Sequence, residues 1–177
     1  MSLLDTILEN NGRYLENRHR PNTEGIGRRI ALFISGDSRF ADILVPAMGI
    51  QDREADVVGG LIIDPGVVRD LVLAIFVRRC EEVFVIGCRD SEVAQIGVED
   101  LARRMIERGV ARDAVAAVLP DLQQWLAGLR DPTAAVVNLV EMIQGNVLIP
   151  NGVPLHGMTF DPISGKLSLL VNGYDHR

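Results

Sequence analysis

The stretch "RRIALFISGDSRFADILVPAMGI", residues 28–50, decides the fold. Its apolar run, Ile30 to Ile34, is short and shows no polar alternation. Such a run predicts a strand buried on both faces, as in a parallel sheet. The run stops at Ser35-Gly36-Asp37-Ser38-Arg39, and the residues after it show helical periodicity ending near Gly49. In open α/β sheets a loop of this kind lies beyond the carboxyl end of its strand, where ligands bind. Asp37 and Arg39, two residues apart in that loop, are therefore candidate site residues, and Ser35 leads them.

Outward from this unit, strands and helices alternate. Residues 2–18 read as an amphipathic helix through Leu3, Leu4, Ile7, Leu8 and Leu15, broken by "RPNTEGIG". "EADVVGGLII" is a second short strand carrying Gly59 and Gly60. "DPGVVRDLVLAIFVRR" is a helix with Asp64 as N-cap and Pro65 at its first position. It is apolar on most faces, which predicts burial. "EEVFVIG" is a third strand, "VEDLARRMIERG" a helix stopped by Gly109, and "RDAVAAVLPDLQQWLAGLR" a helix that Pro120 is expected to interrupt. "DPTAAVVNLVEMIQGN" repeats the Asp-Pro helix start at Asp131 and Pro132. "VPLHGMTFDPISGKLSLLVNG" reads as two alternating strands joined by an Asp-Pro-Ile-Ser-Gly turn. The expectation is one α/β domain over residues 1–177: a mainly parallel central sheet flanked by helices, closed by a C-terminal hairpin with an antiparallel edge strand. Residues 1–25 form its N-terminal helix and linker.

A chain of 177 residues buries about 70% of its unfolded surface and needs no staples. Two cysteines, Cys80 and Cys88, are too few for a disulfide framework or a cysteine cage for metal. The opening "MSLLDTILENN" lacks the apolar core of a secretory leader, and no apolar run approaches the roughly 20 residues of a membrane span. A soluble, cytoplasmic protein without a membrane partner is expected. The net charge of −6 argues against nucleic acid. The basic cluster Arg18, His19, Arg20, Arg28 and Arg29 is read as a solvated surface.

The strand ends assemble a candidate site from Ser35, Asp37 and Arg39, from Gly59 and Gly60, where backbone can approach a ligand closely, and from Cys88, Asp90 and Ser91 in "GCRDSE". Two readings of Asp37 and Arg39 stay open on the residues alone. They belong to a site, or Asp37 caps the next helix and pairs with Arg39. His156 is expected in the core or an interface. Trp125, Leu126 and Cys80 are expected to pack, and His19 and His176 to face solvent.

"SGDSR", "ADVVGG", "DPGVVRDLVLAI", "VFVIGCRDSEVA" and "PLHGMTFDPISGKL" occur in the order and spacing of the β-carbonic anhydrases, and the chain resembles the short archaeal and bacterial forms of that family. The resemblance is close at the strand ends and weak over residues 110–147. It implies a β-carbonic-anhydrase-like fold and at least a homodimer, whose N-terminal helices embrace the partner. The family pattern is Cys-x-Asp-x-Arg, then His-x-x-Cys, with zinc held by the two Cys and the His. Residue by residue, the Asp–Arg pair is Asp37 and Arg39, while the three ligand positions carry Ser35, Cys88 and Ser91. The family loop after the second strand is shortened to Gly59-Gly60, and Glu92 replaces a glycine.

Hydroxyls are poor partners for zinc beside thiolate and imidazole. No metal and no other cofactor is therefore expected, although zinc is the family cofactor. Without it the reaction lacks its nucleophile, because zinc brings the pKa of bound water from 15.7 to about 7. A carboxylate acting as general base contributes only about 10²–10⁴-fold. Three functional readings follow. The first is a non-catalytic homologue that binds a small anion such as bicarbonate at Arg39, or has a structural role. The second is an enzyme of changed chemistry built on Cys88, with Asp37 or Asp90 assisting. The third is carbonic anhydrase activity with an atypical metal, held by Cys88 with Asp37 or Asp90, or with none.

Overall fold

A computed structural model describes residues 2–16, 29–35, 40–51, 54–60, 66–88 and 95–175. In chain order the elements are α1 (Leu3–Glu16), β1 (Ile30–Ser35), α2 (Ala41–Ala47), β2 (Ala55–Gly60), α3 (Gly66–Phe76), β3 (Glu82–Cys88), α4 (Val98–Glu107), α5 (Arg112–Arg130), α6 (Pro132–Gln144), β4 (Leu155–Asp161) and β5 (Lys166–Val171). The sheet order is β2-β1-β3-β4-β5. The first three neighbouring pairs are parallel and β4–β5 is antiparallel, as the sequence predicts.

The apolar runs have a direct structural cause. Ile30, Leu32 and Ile34 of β1, with Phe84, Ile86 and Cys88 of β3, face α1 and α2. Ala31, Phe33, Val83 and Val85 point the other way, onto α3 and α6. Both faces are covered, so neither alternate set can be polar.

The C-terminal parts follow local chemistry. Asp131 caps α6 by accepting from the Thr133 and Ala134 amides at 3.1 and 3.0 Å, and Pro132 sits where no amide is needed. The Asp161 carboxylate accepts from the Ile163 amide at 2.9 Å, and Gly165 closes the turn at φ 76°. α1 is tied to this turn across the fold. The Asn11 side chain donates to the Gly165 carbonyl at 2.8 Å and accepts from the Leu167 amide at 3.0 Å.

Several expectations need correction. Pro120 does not interrupt α5, which runs unbroken for 19 residues. Val115, Leu122 and Leu126 are buried along one stripe spanning the proline, and this packing offsets one missing amide. Leu126 packs, but Trp125 is 43% exposed. α3 is not buried on most faces: Val67, Val68, Leu71, Ala74 and Ile75 face the core, while Leu73 and Phe76 are 52% and 61% exposed. Asp64, Pro65, His19, His176, Arg18, Arg20 and Arg28 lie outside the described residues. Among those described, no helix is long and apolar enough to cross a membrane.

Candidate functional site

The parallel register brings the strand ends together. Ser35 pairs with Gly60 of β2 and with Gly87 of β3, and Ile34 with Gly59. Neighbouring strands lie about 4.8 Å apart, so Ser35, Gly59, Gly60 and Cys88 share one carboxyl edge of the sheet. Asp37, Arg39, Asp90 and Ser91 lie outside the described residues, as does the Ser35 side chain.

Gly87 shows how closely this edge is built. A Cβ there would meet Val136 Cγ2 at 2.8 Å and the Pro132 carbonyl at 2.9 Å. Glycine thus lets the start of α6 close against β3. The Cys88 side chain takes the opposite face and is 3% exposed, in the apolar cluster that includes Ile34, Leu44 and Phe160. Among the described residues, no three His, Cys, Asp or Glu side chains gather closely enough to hold a metal ion. Cys80 is also buried, between α3 and β3, and its thiol is pushed up by burial and then by the nearby Asp56 charge. A thiol so shifted is a poor nucleophile.

A second polar centre lies at the amino end of β3, and reading the sequence did not find it. Glu82 and His156 are 2% and 0% exposed. The Gly173 amide donates to His156 Nδ1 at 3.1 Å, which assigns the ring proton to Nε2. Nε2 then donates to Glu82 Oε2 at 3.2 Å, and the Tyr174 hydroxyl donates to the same oxygen at 2.7 Å. His156 stacks on Phe84 with ring centroids 4.7 Å apart, and the Tyr174 ring meets it edge-on at 4.9 Å. The backbone amides of Leu4 and Leu3 bond the Tyr174 hydroxyl, so the first turn of α1 ends on this network. Six residues of strand, about 20 Å, separate Glu82 from Cys88. The network joins α1, the sheet and the C-terminal turn, and it is remote from the carboxyl edge. His156 is thereby a core histidine, as the sequence suggests. Only its place beside the apolar Leu155, Met158 and Phe160 of the strand could have signalled a buried partner.

The phenol carries a pH prediction. Burial first, then the hydrogen bond and charge of Glu82, push Tyr174 up to about 12, while the Leu4 and Leu3 amides pull the other way. A raised folded value means that the protonated phenol is favoured in the fold. Its contribution to stability is therefore complete below the ordinary value of about 10 and disappears as pH rises through about 12. Ultraviolet titration of wild type against Tyr174→Phe should show the missing phenolate step near 12. A step at 10 would contradict the hydrogen-bonded geometry.

No protein-family model matches the chain. Two Bacillus subtilis (strain 168) proteins, YvdA and YtiB, whose names carry a provisional carbonic anhydrase assignment, are 29% and 28% identical to it. Each alignment covers 99% of this chain, with 94% of YvdA and 100% of YtiB. The crystal structure of β-carbonic anhydrase isoform I from Trichomonas vaginalis superposes with a TM-score of 0.73 at 25% identity, covering 98% of this chain and 100% of that one. The apo form of a carbon disulfide hydrolase shares the fold at a TM-score of 0.65 and 20% identity, over 94% of this chain and 89% of the other. A tetrameric β-carbonic anhydrase from Sordaria macrospora shares it at 0.52 and 15%, over 92% of each. The chain thus shares the fold of the β-carbonic anhydrases and is similar in sequence to two proteins with a provisional carbonic anhydrase name.

Proposed function

We propose that this protein has given up the zinc chemistry of its relatives and acts as a non-catalytic binding or structural homologue. The observation that carries this reading is the donor set at the three family ligand positions: Ser35, Cys88 and Ser91. Two are hydroxyls, and the remaining thiol is buried among apolar side chains. That set does not fit zinc, which takes thiolate, imidazole and carboxylate donors. The burial of Cys88 also disfavours a Cys88-based enzyme, since a reactive thiolate needs exposure. Arg39, carried over from the family pair with Asp37, is the residue that would meet a small anion such as bicarbonate. The working form is at least a homodimer, in the cytoplasm.

A second reading, CO2 hydration with another metal or none, draws its support from the carbonic anhydrase names of the two B. subtilis relatives. One preparation tests both. Protein grown with ample zinc is analysed for metal by mass spectrometry and assayed for CO2 hydration. Metal far below one per chain and hydration at the buffer rate are expected. One metal per chain with hydration above background would overturn the proposal, and hydration without metal would favour the second reading.

A further inference from the structure

We propose that Asn151 is a built-in modification site, where the folded chain loses a side-chain amide by reaction with its own backbone and leaves an isoaspartate in the wall of a cavity. The Asn-Gly dipeptide occurs three times, at residues 11–12, 151–152 and 172–173. This chemistry is fastest in that dipeptide, because glycine turns freely and puts no Cβ in the way of its own backbone nitrogen. The Gly152 amide nitrogen attacks Cγ of Asn151. A C–N bond forms, the bond from Cγ to Nδ2 breaks, and ammonia leaves with the amide proton. Water then opens the cyclic imide at either carbonyl carbon. Opening at Cγ gives aspartate, and opening at the original backbone carbon gives isoaspartate. The sum is amide plus water to carboxylic acid plus ammonia, with nothing oxidised or reduced.

The fold makes three equal dipeptides unequal. Asn11 and Gly12 lie inside α1, where the helical backbone aims the Gly12 amide along the axis and away from the Asn11 side chain. The Asn11 side chain is buried and held by Gly165 and Leu167. Gly173 is buried too, and its amide, the nitrogen that would have to attack, donates to His156 Nδ1. The Asn172 side chain accepts from the Tyr174 amide at 3.1 Å and donates to the Asp175 carboxylate at 3.0 Å. Each of these two sites reacts only after a local opening that costs free energy. Asn151 and Gly152 differ. Both are exposed and outside any helix or strand, in the turn closed by the Val153 amide donating to the Pro150 carbonyl at 3.1 Å. A Cβ on Gly152 would meet nothing within 4 Å, so the imide ring has room to form. Asn151 also lines a cavity of about 220 Å³ with Gln144, Ile149, Pro150, Val153, Leu155 and Gly173. Among the described residues that lining carries no charged side chain, so the new carboxylate changes its character. The extra main-chain carbon of isoaspartate also lengthens the turn that Val153 closes.

This inference goes beyond the proposed function and does not depend on it. The test incubates the full folded chain at mildly alkaline pH, beside the same chain in urea, and maps the three dipeptides by mass spectrometry for the amide-to-acid mass change. In urea all three should react at similar rates. In the folded chain Asn151 should be converted while Asn11 and Asn172 keep their amides. A carboxyl methyltransferase specific for isoaspartate should then place a labelled methyl group on the peptide that carries residue 151 and on neither of the others. Gly152→Ala, which the open space at that position allows to fold, should still hold its Asn151 amide when most wild-type chains have lost it. Hydrogen exchange at the Val153 amide should be faster in aged wild type than in fresh protein, and unchanged by the same incubation in Gly152→Ala. An intact Asn151 in the folded chain, or Asn11 or Asn172 keeping pace with it there, would overturn the proposal. So would a Gly152→Ala chain that reacts as fast as wild type. A Val153 amide indifferent to ageing would overturn the effect on the turn.

Discussion

Glu82→Ala is expected to cost the fold about 3–5 kcal/mol, because it removes the carboxylate that accepts two buried hydrogen bonds, each worth about 1.5–3 kcal/mol. The carboxylate is 2% exposed and accepts from His156 Nε2 at 3.2 Å and from the Tyr174 hydroxyl at 2.7 Å. Alanine leaves both donors facing a small cavity. His156 cannot escape by changing tautomer, because the Gly173 amide already donates to its Nδ1. The damage should spread, since the same hydroxyl receives the Leu3 and Leu4 amides and so anchors the first turn of α1. Against a total stability of order 5–15 kcal/mol, the loss is about a fifth or more. Urea unfolding of wild type, Glu82→Ala and Tyr174→Phe would measure it. Tyr174→Phe, which removes the hydroxyl's bonds to Glu82 and to the Leu3 and Leu4 amides but keeps the ring and the carboxylate, should cost less, about 1–3 kcal/mol. A loss below about 1 kcal/mol for Glu82→Ala would mean that water replaces the carboxylate and that the network is not an anchor.

Restoring the family ligands is the second large effect. The triple variant Ser35→Cys, Cys88→His, Ser91→Cys is expected to take up about one zinc per chain, where wild type takes up far less. The register supports this. Ser35 sits opposite Gly87, one residue before Cys88, so two of the three donors would leave adjacent strand ends about 4.8 Å apart. Thiolate and imidazole donors, the types that zinc takes, then replace hydroxyls. Metal analysis with thermal melting in the presence and absence of chelator reads the result, because a bound metal raises the melting temperature. CO2 hydration is the later readout. A triple variant that stays metal-free would locate the loss in the backbone instead, in the shortened Gly59–Gly60 segment or at Glu92.

How much of this was legible in the sequence depends on how local each signal is. The strand at residues 30–35 announces itself, because burial on both faces removes every polar alternation. The α6 start is legible because Asp131 and Pro132 act on amides two and three residues away. The carboxyl edge is legible too, since strand, loop and helix order alone says where the loop must lie. Glu82 reads as an ordinary surface acid beside Glu81, until β4 and the C-terminal turn bring His156 and Tyr174 onto it from 74 and 92 residues away. Asn11 reads as one polar residue of an amphipathic helix, and its partner Gly165 is 154 residues distant. Pro120 misleads in the opposite sense, since one missing amide weighs less than the packing of Val115, Leu122 and Leu126 around it.

α3 divides the two kinds of information most clearly. Sequence alone determined that it is a helix and that it is apolar on most faces. It also determined the α/β class and the order of elements, because periodicity and breakers act over a few residues; the roles given to positions 35, 88 and 91 come from the resemblance to the β-carbonic anhydrases. The tertiary structure decided which apolar faces find cover within the chain and which acid becomes a buried partner. Those outcomes depend on contacts between segments far apart along the chain. A side chain's pattern specifies a face to be buried but carries no record of what will bury it, and for Leu73, Phe76 and Val77 nothing in the described chain does.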